Sequence, residues 1–401
     1  MSHPAAVVRR GGFQTRPYGV GLQPELDALK SKHLYRSPEV FASKKSPKKL
    51  DRFVDFSSND YLGLSQHPRV IAAASRALGR WGAGSAASRL LSGNLDVHRQ
   101  LEEKIAHFKR EESAVVFSSG YLANLGAIST LVNEKDVVIL DRLCHASLID
   151  GARLSRAKFW VYGHRDTVQL ADLLSRAGRF RRKLVVTDAY FSMDGDLAPL
   201  PELVAVCRGH DAMLMIDEAH STGVYGRGGR GLLEHFGMEG GADVVMGTLS
   251  KALGSVGGFV AGGASLRESL INFCRPYIYT TAPAPGASAA ASEALALIAR
   301  VPGLREKLWQ NVRRVREGLG RLGLDLMGSG GPIVPVRVGD PARALEIKEK
   351  FKQAGFFVSA IRPPSVPSGT DRMRLSVSAA HTPEQIERLL SVFEKLKDRI
   401  R

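Results

Sequence analysis

The sequence predicts an α/β fold, with a large domain on a mostly parallel sheet and a smaller C-terminal α/β domain. Three observations carry that expectation. Short apolar runs recur along the chain and end in polar or small residues: Ala114 to Phe117, Val137 to Leu140, Lys183 to Thr187, Met213 to Asp217 and Val244 to Met246. Segments of helical spacing lie between them, and strands alternating with helices build parallel βα units. Polar groups also follow successive strands, where open α/β sheets bind ligands.

In chain order, residues 1–21 read as an arm with Pro and Gly but little periodicity, and 22–34 as a short helix with Leu22, Leu26 and Leu29 on one face. The lysine-rich stretch 40–50 reads as exposed, and Arg52 to Phe56 as a strand before Ser57-Ser-Asn-Asp-Tyr61. Asn59 there either caps a helix or donates its amide to a substrate carboxylate. Pro68 opens a helix to residue 80. The run Gly82 to Asn94 is too rich in small residues for a helix and holds only Arg89 as a charge. It suits a close-fitting loop over a cofactor or at a subunit contact. His98 to Lys109 resumes a helix.

After the strand at 114–117, Ser118-Ser-Gly120-Tyr121 opens a helix whose first amides can face a phosphate, without a Walker lysine or a Gly-x-Gly-x-x-Gly pattern. His145, just past the next strand, is either a satisfied structural histidine or a flat ring able to stack on a planar cofactor. Tyr190 to Asp196 is a loop and Pro199 to Arg208 a helix. Ala289 to Ala299 and Leu304 to Leu322 are helices. The pattern then changes: strands at 332–338, 357–361 and 372–378 alternate with helices at 341–355 and 383–397. The expected division is an N-terminal segment 1–60, a large domain 61–299 and a small domain 300–401. Arg362 precedes two prolines, which force an extended entry and can fix it toward the cleft between domains.

Composition bounds the function. Hydrophobic residues make up 44% and aromatics 7%, as in an ordinary globular protein. No window approaches the roughly 20 apolar residues of a membrane span. The first 21 residues lack a secretory pattern, and three scattered cysteines fit neither a disulfide framework nor a zinc site. A cytoplasmic setting fits. The net charge of +16 is spread out, which argues against a nucleic-acid motif and for an anionic substrate or acidic partner.

Two segments carry the chemistry. Lys251 is the only charge between Asp243 and Arg267, followed by glycine-rich chain. It is either a surface lysine or an amine held in a dry pocket, where it loses its proton readily and forms a Schiff base. Thr248 stands three residues earlier, able to offer a hydroxyl to a phosphate. The other segment ends Asp217-Glu-Ala-His220. Asp217 can hold a pyridine nitrogen protonated, so that a pyridoxal ring withdraws electrons; the rival readings are a metal-binding Asp/His pair and a phosphotransfer aspartate.

Taken together, Ser58-Asn-Asp-Tyr-Leu-Gly-Leu64, Ser119-Gly-Tyr-Leu-Ala-Asn124, His145-Ala-Ser147, Phe191-Ser-Met-Asp-Gly-Asp196, Asp217-Glu-Ala-His220, Thr248-Leu-Ser-Lys251 and Arg372-Met-Arg374 resemble the α-oxoamine synthases over nearly the whole chain. These are pyridoxal 5'-phosphate enzymes of transferase fold type I. The resemblance implies that Lys251 binds the cofactor and moves the α-proton, Asp217 pairs with the ring nitrogen and His145 stacks on the ring. Ser192 and His220 would lie by the phenolic oxygen. Gly120, Tyr121 and Thr248 would hold the phosphate, joined by Thr281 across a homodimer interface at which the active sites lie. Asn59 and Arg374 would take the amino-acid carboxylate and Arg362 a second carboxylate or the acyl group.

One departure is Ala86-Ala87, where many relatives have two glycines. The segment Ala360 to Pro367 resembles family members that join L-alanine to a pimeloyl thioester, carried as pimeloyl-ACP or pimeloyl-CoA. The positive charge would steer either carrier. Members using glycine or serine are the alternative within the family. Outside it stand ordinary transamination and a cofactor-free scaffold.

Overall fold

A computed structural model describes residues 21–40 and 53–401. Most of the expected N-terminal arm and of the lysine-rich stretch lies outside the described residues. The strands in chain order are β1 (Val54–Asp55), β2 (Ser113–Phe117), β3 (Val137–Asp141), β4 (Lys158–Tyr162), β5 (Lys183–Asp188), β6 (Met213–Asp217), β7 (Val244–Thr248), β8 (Gly258–Gly262), β9 (Ile333–Arg337), β10 (Phe356–Phe357), β11 (Ser359–Ile361) and β12 (Arg372–Ser376).

A seven-stranded sheet of order β2-β8-β7-β6-β5-β3-β4 forms the centre. Its side chains sort by the two-residue period of a strand. Val137, Ile139, Val185, Leu214, Ile216 and Val245 enter one core. Val138, Leu140, Leu184, Val186, Met215 and Val244 enter a second core on the other face. Helices cover both faces, which is why these strands read as continuous apolar runs rather than as alternating ones. The first core continues into the C-terminal region through Ile333, Val336, Met373 and Phe393.

One strand departs from the parallel pattern. β8 pairs antiparallel with both β2 and β7. Glycine is required there by close approach: a Cβ on Gly258 would lie 2.5 Å from the Gly120 Cα. The C-terminal region carries the antiparallel sheet β11-β12-β9, backed by helices Gly303–Arg321, Pro341–Gln353 and Pro383–Ile400. Pairing of β1 with β10 fastens the segment before Asn59 to this region. The leucine face expected in the first helix, Gln23–Ser31, has no buried residue.

A buried ion pair fixes the chain just past β6. Lys109, at the end of helix Asp96–Lys109, donates to Glu218 Oε2 at 2.6 Å and to Thr222 Oγ1 at 2.8 Å. Both charged side chains are almost wholly out of solvent. Arg89, the one charge of the small-residue loop, turns inward to Glu102 and Asn94. It is a strut of the loop and does not face outward.

Candidate active site

The carboxyl ends of β2, β3, β5, β6 and β7 lie along one edge of the sheet, because β8 alone runs the other way. Each supplies polar groups to one region. Asp188 and Asp217 end adjacent strands and are paired in register. Asp217 Oδ2 accepts from Asn124 Nδ2 at 2.7 Å and Oδ1 from the Ala219 N–H at 2.8 Å. Asp188 accepts from the His145 N–H at 2.8 Å. Burial, reinforced by the charge of Asp217, pushes the Asp188 carboxyl well above the ordinary range.

Lys251 sits half-buried in the turn after β7. Burial lowers its amine to about 8, against the opposing pull of the Asp217 and Asp188 carboxylates. Lysine this close to neutrality can serve as a nucleophile and a base near physiological pH. His145 lies open on its accessible side, yet desolvation by the surrounding protein still lowers its basicity. His220 is buried, with Nδ1 2.7 Å from the Tyr61 hydroxyl, and desolvation holds its ring well below the ordinary imidazole range.

A candidate anion cradle lies where helix Gly120–Leu131 begins. Its first N–H groups have no acceptor within the helix. A Cβ on Gly120 would come within 3.0 Å of Met246 Cε and 3.4 Å of Thr248 Oγ1, so the backbone there runs tight against β7. The hydroxyls of Thr248 and Ser250 are 2.7 Å apart. The Tyr121 hydroxyl donates to Asp150, which leaves its backbone N–H as the group suited to a phosphate.

A second candidate anion site joins three segments. Arg374 on β12 donates from Nε to the Ser192 carbonyl at 2.6 Å, from Nη1 to Ser376 Oγ at 2.9 Å and from Nη2 to Asn59 Oδ1 at 3.2 Å. Asn59 Oδ1 also lies 3.3 Å from both the Tyr61 and Ser376 hydroxyls. With its oxygen occupied, the NH2 end of Asn59 is the one suited to meet a carboxylate. The guanidinium is buried, so a carboxylate reaching it is gripped in a poorly screened setting.

Two expected residues stand apart. Thr281 is exposed and bridges to Ser88. Arg362 donates to the His33 carbonyl while its Nε is buried without a partner. Sequence reasoning missed Asp188 and Ser250, although Asp188 ends an apolar run just as Asp217 does. It also missed His164, which ties the 190–196 loop to β3 by bonds of 3.0 Å to Asp141 and 2.8 Å to Asp196.

Burial alone would lower His164, but its two carboxylate partners outweigh that and raise it to about 9. A folded value above the ordinary 6.5 means that its stabilisation is complete below about pH 6.5 and lost as pH rises through about 9. Wild type is therefore expected to lose more stability over that window than His164→Gln, compared by urea midpoints at its two ends. Parallel pH profiles would refute the assignment.

The residues present fit pyridoxal phosphate: a phosphate cradle at Gly120, a depressed lysine, a carboxylate with lone pairs left over, and an open imidazole stand along one sheet edge. No group of three or more His, Cys, Asp or Glu among the described residues is arranged to hold a metal. No helix among them is long and apolar enough to cross a membrane.

Comparison with known proteins agrees with this geometry. The family model for aminotransferase class I and II matches residues 51–393. The 8-amino-7-oxononanoate synthase of Thioalkalivibrio sulfidiphilus is 46% identical over 93% of this chain and 96% of its own length. A serine palmitoyltransferase of S. paucimobilis, solved with PLP and myriocin bound, superimposes with a TM-score of 0.89 at 36% identity, covering 95% of this chain and 97% of that one. The 8-amino-7-oxononanoate synthase of Francisella tularensis gives 0.75 at 32%, covering 86% and 98%.

Proposed function

Since this chain belongs to the aminotransferase class I and II family, in its α-oxoamine synthase branch, we propose that it condenses L-alanine with a pimeloyl thioester to 8-amino-7-oxononanoate, releasing carbon dioxide and the free thiol. The observation that carries this reading is the joining of a lysine lowered to about 8 with the buried Arg374–Asn59 anion site. The cofactor is pyridoxal phosphate. When bound, it supplies an electron sink for negative charge at the amino acid's α-carbon.

The chain's own residues do the rest. Asp217, its two oxygens each steadied by one donor, pairs with the ring nitrogen. Gly120, Tyr121 and Thr248 hold the phosphate. Lys251 is the attachment point, and its Nζ takes the α-proton of bound alanine and later returns one to the product. Arg374 and Asn59 hold the alanine carboxylate and so fix the direction of the bond that breaks. His220 and Ser192 line the phenolic oxygen, His145 covers the ring, and Arg362 meets the acyl chain.

The assembly is a homodimer in which Thr281 reaches the neighbour's phosphate. Support comes from the exposure of Thr281 together with Leu90, Leu91 and Tyr279 in the same region. The three cysteines, free and buried, suit the reducing cytoplasm.

The backbone likeness to serine palmitoyltransferase favours one rival, serine as the amino acid. Competition among alanine, serine and glycine for pimeloyl-CoA separates them. The proposal expects the alanine product to dominate; a dominant serine or glycine product overturns the substrate while leaving the chemistry.

The lowered lysine has its own signature. With a value of about 8, the neutral fraction of Lys251 rises about fivefold from pH 7 to 8 and is nearly complete by about pH 9. The rate at which added pyridoxal phosphate develops its visible band is expected to follow that curve. A rate still climbing tenfold per unit above about pH 9 would mean an ordinary, solvated lysine.

A further inference from the structure

Between Asp217 and His145 runs a chain of hydrogen bonds whose direction is set by what each atom can donate. Asp217 ends it as an acceptor only. Asn124 Nδ2 donates one proton to Asp217 Oδ2 at 2.7 Å and the other to Ser147 Oγ at 2.9 Å. Turning the Asn124 amide over would set its oxygen against the carboxylate, so this orientation is fixed even though its Oδ1 has no partner. Ser147 has one hydroxyl proton, and His145 Nδ1 lies 2.8 Å away. The backbone N–H of Ser147 also faces Nδ1, at 3.3 Å. Asn124 and Ser147 are at most 1% exposed, which leaves water little access to substitute for either.

We propose that Asn124 and Ser147 are positioning residues that hold His145 as the neutral Nε2–H tautomer through this relay from Asp217. The role deepens the reading above and rests on His145 and Asp217 both serving the cofactor. Two donors converge on Nδ1, so the ring's proton sits on Nε2, the one nitrogen left to donate into the site. Protonating Nδ1 would strand the Ser147 hydroxyl proton inside the protein, at the cost of an unsatisfied buried donor. The charged groups around the ring divide: Asp217 and Asp150 favour the imidazolium and Lys251 opposes it, while desolvation lowers the ring overall. Tyr121 meets it edge-on at 6.5 Å. Asp188 holds the backbone of His145 by its N–H. The relay thus links the group that charges the cofactor ring to the group that covers it.

The test is the tautomer itself, read from long-range proton–nitrogen spectra of 15N-histidine-labelled protein loaded with pyridoxal phosphate. His145→Gln assigns the signal. Wild type is expected to carry its proton on Nε2. In Ser147→Ala the signal should move toward a mixture of tautomers and its titration midpoint rise by about one pH unit. Ser147→Thr should restore both. Asn124→Ala, which leaves the serine but frees its oxygen to accept, should also give a mixture.

A wild-type proton on Nδ1, or Ser147→Ala spectra unchanged from wild type, overturns the proposal. The same spectra of apo protein separate the two failures. A chain that never develops a cofactor band contradicts the functional reading, whereas the tautomer remains measurable and judges the relay alone.

Discussion

Replacing Lys251 with alanine is expected to lower the rate of condensation by roughly 10⁴-fold, the upper range for loss of a positioned acid–base group. Its amine is lowered to about 8 mainly by burial, and the carboxylates of Asp217 and Asp188 oppose that shift. The side chain is thus basic enough to accept a proton and neutral often enough to be available. Lys251→Arg should be about as inactive, because a guanidinium stays charged and cannot take a proton. Added methylamine should restore a measurable part of the alanine variant's rate by supplying a free base. Single-turnover assays with alanine and a pimeloyl thioester read all three. A Lys251→Ala enzyme retaining more than about a tenth of the wild-type rate would remove this residue from the mechanism.

The second large effect is on stability. Lys109→Met is expected to destabilise the fold by about 3–5 kcal/mol, because it strands the Glu218 carboxylate in the interior. Glu218 has little room to move. Its Oε1 accepts from the Leu233 N–H at 2.9 Å, and a Cβ on Gly231 would lie 2.3 Å from its Oε2. Glu218 directly follows Asp217, so the loosened segment is the one that carries the proposed ring-nitrogen partner. Lys109→Met combined with Glu218→Gln should recover part of the loss by removing the unpaired charge. Urea midpoints of the apo proteins measure both. A loss under about 1 kcal/mol for the single variant, the worth of an exposed pair, would mean that water reaches the site.

Five strands of the sheet, β2, β3, β5, β6 and β7, were legible because burial on both faces makes each a compact apolar run, whereas the edge strand β4, half open to solvent, was not expected. Asp217 and Lys251 stood out as the polar residues closing such runs. β8 was not legible. Within Gly258 to Gly262 only Val260 carries the branched side chain that marks a strand, and Gly258 answers to a contact with Gly120, far away in sequence. Asp188 escaped because the expected strand stopped one residue short. What makes it notable is its register with Asp217 on the neighbouring strand.

The 82–94 loop shows the opposite limit. Composition marked it as close-fitting, but the inward turn of Arg89 depends on Glu102, on a separate helix. Tyr61 lay within a recognised motif, and its bond to His220 joins residues 159 positions apart. Residue type and spacing reveal groups at strand ends; partnerships across the fold need coordinates.

The fate of the carboxyl carbon of alanine distinguishes a decarboxylating condensation from transamination. Cofactor-loaded protein, carboxyl-labelled ¹³C-alanine and a pimeloyl thioester should yield labelled carbon dioxide and an unlabelled aminoketone in equal amounts, with neither formed when one substrate is omitted. Labelled carboxylate retained in the product, or conversion of alanine to a keto acid without the thioester, would contradict a decarboxylating condensation.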